Sequence, residues 1–238
     1  MTSPAKASRI DELTHKAQAS LKATKWFEAE RLAQRALEMA HEVGDFGRMR
    51  KIILPLQEAR RQRMQQVSST RGLKVKILSE PLEEDHKVGP GLYMLQPPLV
   101  GADARRVRLS ALQREVAALV ICREPSTQLG LVPIVAIGLV TVRARIDGPA
   151  KSAGPDKGWF LWALEQVGDA AIGMIDTGMD AVRQVDTAMC LLDAIPEHEA
   201  LHSTLSSLCE QAEIEMRDSA PSGGDEISSP KARQGSKG

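Results

Sequence analysis

The chain has 238 residues, enough for one large or two small domains, and with 42% hydrophobic but only 3% aromatic residues its core must be aliphatic. Its net charge of zero hides an asymmetry: residues 1–76 carry 16 Lys/Arg against 8 Asp/Glu, whereas residues 155–218 carry 3 against 13. Three widely spaced cysteines, Cys122, Cys190 and Cys209, exclude a disulfide framework and a zinc-finger pattern.

Taken in order, residues 1–9 read as a short polar lead, and MTSPAKASRIDEL has no apolar stretch of the kind a signal peptide needs. From Ile10 to Met39 the spacing is helical, with Leu13, Ala17, Ser20 and Leu21 on one helix and Ala29, Leu32, Ala33, Ala36, Leu37 and Ala40 on a second. Thr24-Lys25 is the turn between them. Gly44-Asp45-Phe46 punctuates the chain before a third helix, Arg48 to Gln66, in which Pro55 marks a kink or a stop. Leu73–Leu78 and Gly91–Gln96 read as strands on either side of a charged loop, and Ala102–Ala117 as a helix with Asp103 near its first turn.

The most apolar run, Val116 to Ile146, is too short and too interrupted for a membrane helix. It predicts a hairpin: Ala118–Cys122 as a buried strand, then Leu131–Ile146 as a second strand with a bulge or bend at Gly138. Val140, Val142, Ala144 and Ile146 fall on one face of that strand and Thr141, Arg143 and Arg145 on the other. Pro133 places the strand's start there, or the strand at an edge. Residues 148–158 form a Gly/Pro-rich linker. Three helices follow, Trp159–Met174, Asp180–Ile195 and Glu197–Met216, and the tail 218–238 is too poor in apolar residues to fold.

The phrase WFEAERLAQRALEMA, with Ala17 before it, resembles one tetratricopeptide repeat (TPR) of about 34 residues. Ala17 matches the small residue of the family's first helix, Trp26 the aromatic that opens the second, and Ala29, Ala33 and Ala36 its small positions. Leu13 and Ser20 stand where the family has first-helix aromatics, and His41 where it has a closing proline. The resemblance implies a helical hairpin that stacks on further helices and serves protein–protein contact.

Chemistry-bearing patterns are few. His198-Glu199-Ala200-Leu201-His202 matches H-E-x-x-H, in which two imidazoles one turn apart hold zinc and the Glu acts as base toward bound water. This resembles the zincin signature and makes His198 and His202 candidate ligands and Glu199 the candidate base. Pro196 puts the motif in a helix's first turn, and of the later residues Cys209, Glu210, Glu213 and Glu215 only Cys209 shares the stripe. The preferred reading is two histidines flanking the packed Leu201, Leu205, Leu208 face. Cys122 reads as a buried strand cysteine rather than a nucleophile. Arg48, Arg50, Lys51, Arg60, Arg61 and Arg63 offer phosphates a basic helix, but only Phe46 accompanies them for base stacking, so nucleic acid is disfavoured as a partner.

The sequence thus predicts a mainly helical α+β protein. Its parts are TPR-like helices over 1–70, a small sheet with one crossing helix over 71–147, the linker, C-terminal helices over 159–217, and the tail. The expected function is a non-catalytic interaction or scaffold protein of bacterial type in the cytoplasm, with an unidentified protein partner or self-association through the oppositely charged ends. No membrane association is expected. No catalytic, cofactor-binding or metal-ligating residue and no cofactor is assigned. The alternatives are a zinc-dependent hydrolase on His198, Glu199 and His202, and a nucleic-acid binder on the basic N-terminal half.

Overall fold

A computed structural model describes residues 4–83, 86–126, 130–150 and 154–219. The predicted tail lies, from residue 220 on, outside the described residues, as do residues 151–153 of the predicted linker. The first helix, α1 (Pro4–Lys22), begins earlier than its apolar spacing suggested. Pro4 sits at its first position, where a missing N–H leaves no helical bond unmade. Thr24 takes a left-handed φ of 58° at the turn, and α2 (Trp26–Glu42) returns against α1. Asp45 then caps α3 (Phe46–Ser68), its carboxylate accepting the Arg48 N–H at 3.0 Å. Pro55 does not stop α3. Its neighbours Ile52, Ile53, Leu56 and Ala59 are buried, and that burial outweighs the roughly 3 kcal/mol that an interior proline removes.

The central sheet is built from β1 (Val75–Leu78), β2 (Gly91–Leu95), β3 (Ala118–Arg123), β4 (Val132–Ile137) and β5 (Thr141–Ile146), in sequence order across the sheet. β1, β2 and β3 are mutually parallel, while β4 and β5 continue antiparallel. The helix α4 (Gly101–Gln113) connects β2 to β3 and covers one face. Its Ala104, Val107 and Ala111 pack on Tyr93, Leu95, Ala118, Cys122 and Val135. The opposite face presents Leu92, Met94, Leu119, Ile121, Ile134, Val142 and Ala144 to the other helices. With both faces covered, β2 and β3 read as unbroken apolar runs.

The run predicted as one long strand, Leu131–Ile146, is instead two. Gly138 forms the β4–β5 turn rather than a bulge, its N–H bonding the Val140 carbonyl at 2.9 Å. The predicted alternation holds in β5, where Val142, Ala144 and Ile146 are buried. Pro133 lies in an interior strand. It is tolerated because the β3–β4 register ends at Arg123↔Ile134. The Pro133 carbonyl still accepts the Glu124 N–H just beyond that point, so the ring's missing donor costs a single bond at the end of the ladder.

The last three helices are α5 (Lys157–Ile172), α6 (Ala181–Ala194) and α7 (Glu199–Asp218). Asp156 and Asp180 cap the first two, accepting from Trp159 N at 2.7 Å and Arg183 N at 3.0 Å. α5 packs on the sheet beside α3, and α7 lies against α3, α5 and α6. One apolar cluster therefore joins Ile10, Leu37, Ile52, Leu119, Phe160, Val185 and Leu205, residues from both chain ends and the sheet. The charge asymmetry is partly satisfied within the chain. Arg50 reaches Glu210 at 3.2 Å, Arg63 reaches Glu197 at 3.2 Å, and His41 meets Asp186 at 2.7 Å. Among the described residues no helix is long and apolar enough to cross a membrane.

Candidate functional site

The faces of α2 and α3 that meet carry charge where their spacing calls for apolar residues. Glu30 lies on the Ala29, Ala33, Ala36 side of α2, and Arg60 and Arg63 continue the Met49, Ile52, Leu56, Ala59 side of α3. The side chains of all three are 7% exposed or less. Glu30 bridges the two guanidinium groups: Arg60 Nε donates to it at 3.0 Å and Arg63 Nε at 2.9 Å. Arg63 also reaches Glu197, and Arg60 donates to Gln34 Oε1 at 2.9 Å. Burial alone would raise the Glu30 carboxyl, but Arg63 and Arg60 together hold it below the ordinary range. Burial likewise opposes the charge on Arg63, and Glu30 and Glu197 outweigh it.

His202 completes the cluster from α7. Its Nε2 lies 3.1 Å from Arg60 Nη1 and its Nδ1 lies 2.9 Å from the His198 carbonyl. A guanidinium only donates and a carbonyl only accepts. The imidazole is therefore neutral, protonated on Nδ1, with its Nε2 lone pair taken by Arg60. Burial first and Arg60 second push its pKa down to about 3.

His198, by contrast, is the residue before α7 and not part of it. Its imidazole turns toward α5, where Nε2 is 3.2 Å from Glu165 Oε1 and 3.5 Å from Asp169 Oδ1. The H-E-x-x-H residues are thus neighbours in sequence whose two imidazoles serve different surroundings. Glu199 opens α7 and lines a small cleft with His198, and Cys209 is buried with its thiol pushed up to about 12 by burial. Burial also raises the Cys122 thiol to about 12, with Glu124 adding to it, far from a reactive thiolate.

Beside the buried ion cluster, α2, α4 and the end of α6 enclose a cleft of about 520 Å³. Phe27, Leu109 and Leu112 give it apolar lining, and its charged lining is mixed, with Arg31, Arg35, Arg60 and Arg108 beside Glu30, Glu38, Glu115 and Asp193. Arg108 is half-buried and donates to the Asp193 and Ile137 carbonyls at 2.8 and 3.5 Å. It makes no ion pair among the described residues, and burial lowers its pKa. Neighbouring Asp193 is engaged by Arg105 at 3.2 Å and by the Leu139 N–H at 2.9 Å. Arg35 is answered by Glu38 at 3.5 Å. Arg108 thus lines the cleft as a cation that Glu197 and Asp193 stabilise through space but that makes no ion pair among the described residues.

The basic helix predicted to offer itself to phosphates is largely neutralised. Arg48 pairs with Asp11 and Asp45, Arg50 with Glu210, Arg61 with Glu58, and Arg60 and Arg63 with Glu30. Of the six residues only Lys51 makes no ion pair among the described residues. Sequence reasoning missed Glu30 and Arg108. For Glu30 a signal existed: a carboxylate on an alanine face, opposite two arginines three residues apart on another buried face. For Arg108 there was none, because its isolation depends on where α6 ends.

Comparison with family models, with curated proteins and with solved structures gave no match.

Proposed function

We propose that this chain is a non-catalytic binding protein that holds an acidic segment of a partner polypeptide in the cleft between α2 and α4. The observation that carries the reading is Arg108, a half-buried guanidinium that lines a 520 Å³ cleft and makes no ion pair among the described residues. A carboxylate arriving there replaces solvent at a charged donor, and charge-assisted hydrogen bonds are roughly twice as strong as neutral ones. Phe27, Leu109 and Leu112 supply apolar contact around it. The TPR-like hairpin contributes α2 to the same cleft, in keeping with the interaction role that the resemblance implies. The hydrolase alternative on His198, Glu199 and His202 would require His202 Nε2 to give up Arg60 and the His198 imidazole to leave its place beside Glu165 and Asp169.

The test is fluorescence polarisation with labelled oligo-glutamate, oligo-lysine and neutral peptides of equal length. Arg108→Met is compared with the wild type, and Arg31→Ala serves as an exposed second variant on the same cleft. Oligo-glutamate should bind preferentially, weaken with added salt, and weaken about tenfold in Arg108→Met, as losing one charged hydrogen bond implies. Equal binding of the three peptides, or an unchanged affinity in both variants, would overturn the reading.

A further inference from the structure

Glu165 and Asp169 lie one turn apart on α5, so their carboxylates share a face, and the His198 imidazole comes to that face from the α6–α7 connection. The three prospective ligand atoms lie within 4.8 Å of one another. The imidazole is only 1% exposed, while Glu165 and Asp169 are 61% and 57% exposed. Both ring nitrogens are buried and neither makes a hydrogen bond; the 3.2 Å approach of Nε2 to Glu165 is too poorly aligned to be one. Among the described residues a buried ring nitrogen without a hydrogen bond therefore lies within 3.5 Å of two carboxylates, and a cation held among the three would give it a partner.

The spacing fits a metal ion. Zinc–nitrogen and zinc–carboxylate bonds of about 2.0–2.1 Å give tetrahedral ligand–ligand edges of about 3.3–3.4 Å. The Nε2 separations from the two carboxylates, 3.2 and 3.5 Å, bracket that value. The backbone is also shaped for this approach. Gly168 lies between the two acids, and a Cβ there would meet His198 Cγ at 2.1 Å. Only glycine lets the ring lie against α5, and a glycine inside a helix costs roughly 1 kcal/mol relative to alanine unless such packing requires it.

We infer that Glu165, Asp169 and His198 form a binding site for a divalent transition-metal ion such as zinc. One imidazole and two carboxylates favour zinc, cobalt or manganese over calcium or magnesium. Three protein ligands would leave a coordination position open, and two of them, Glu165 and His198, also line the cleft of about 250 Å³ with Met64, Leu161, Leu164 and Glu199. The site takes His198 from the H-E-x-x-H sequence and leaves His202 with Arg60. It is separate from the α2–α4 cleft and does not depend on the binding role proposed for it.

The experiment is titration of tag-free, metal-stripped protein with Zn²⁺ by calorimetry and with Co²⁺ by visible absorption. The wild type is set beside Glu165→Gln/Asp169→Asn, whose exposed positions leave the core intact, and beside His198→Asn. The expected result is about one ion per wild-type chain with the intense visible bands of four-coordinate cobalt. Zn²⁺ should also raise the wild-type Tm. In the double variant, affinity should fall at least tenfold and the Tm shift should vanish, with metal-free stability unchanged. Three results would each overturn the site: no binding by wild type at millimolar metal, undiminished binding in the double variant, or retained four-coordinate cobalt in His198→Asn.

Discussion

Glu30→Gln removes one charge from the centre of the protein and leaves the side-chain shape almost unchanged. Arg63 would keep Glu197 at 3.2 Å, but Arg60 would keep only the neutral Gln34 and His202. At 3.0 Å and an effective dielectric of about 20, the lost Arg60 attraction is roughly 5 kcal/mol before solvation is counted. Breaking a buried pair by removing one partner destabilises by about 3–5 kcal/mol, because a buried charge is left uncompensated. For a chain of this size that lowers Tm by roughly 6–20 °C, at about 2–4 °C per kcal/mol. Urea unfolding followed by far-UV circular dichroism at neutral pH measures it, with an unchanged m-value as the sign of an intact fold. Glu58→Gln, which breaks the half-exposed pair with Arg61, should have a far smaller effect. Glu30→Leu/Arg60→Met, which restores charge balance around Arg63 and Glu197, should recover at least half the loss. A Glu30→Gln loss below about 1 kcal/mol would refute the reasoning, since no buried charge would then have been stranded.

Acid should destabilise the fold in a defined window. The folded-state pKa of His202, about 3, lies below its unfolded value of about 6.5. The unfolded chain therefore binds the extra proton, and this contribution is fully present above about pH 6.5 and is lost as pH falls toward 3. Glu30, also held low, adds a loss of the same sign at more acidic pH. Unfolding free energies across that range should fall by up to about 1.4 kcal/mol per pH unit from His202 alone, and a flat profile between pH 6.5 and 4 would contradict the assigned neutral tautomer. Gly138→Ala should destabilise by about 1–3 kcal/mol. Its Cβ would sit 2.5 Å from both Ala194 N and Asp193 Oδ2, and the obstacle includes backbone. Chemical denaturation gives the value, and wild-type stability in that variant would mean that α6 does not end against the β4–β5 turn.

The helices were legible because their spacing is regular and their ends are signed. Asp45, Asp156 and Asp180 cap α3, α5 and α6, and Thr24 and Gly44 break the chain where the first three helices meet. The central run was legible as β-structure but not in its division. Leu131–Ile146 is apolar on both sides of Gly138, and a glycine in such a run marks a bulge or a turn equally well. What decides for a turn is the end of α6, with Asp193 accepting the Leu139 N–H at 2.9 Å. Of the candidate site, the H-E-x-x-H residues were visible, yet helical spacing alone put the two imidazoles on one face. That inference failed at a single residue, since His198 precedes the helix and its side chain follows no helical direction.

The sequence by itself determined the α+β class, the order of the elements apart from the division of Leu131–Ile146, and the aliphatic faces, because each of these follows from periodicity and turn chemistry within a few residues. Only the tertiary structure decided the partners of the charged groups. Electrostatic pairing depends on distance in space, and α3 meets α7 more than 130 residues away, which brings Arg60 to His202 at 3.1 Å and Arg63 to Glu197 at 3.2 Å. The same packing turned an apparently basic surface into a largely neutralised one, left Arg108 without an ion pair among the described residues, and set His198 against Glu165 and Asp169 rather than beside His202.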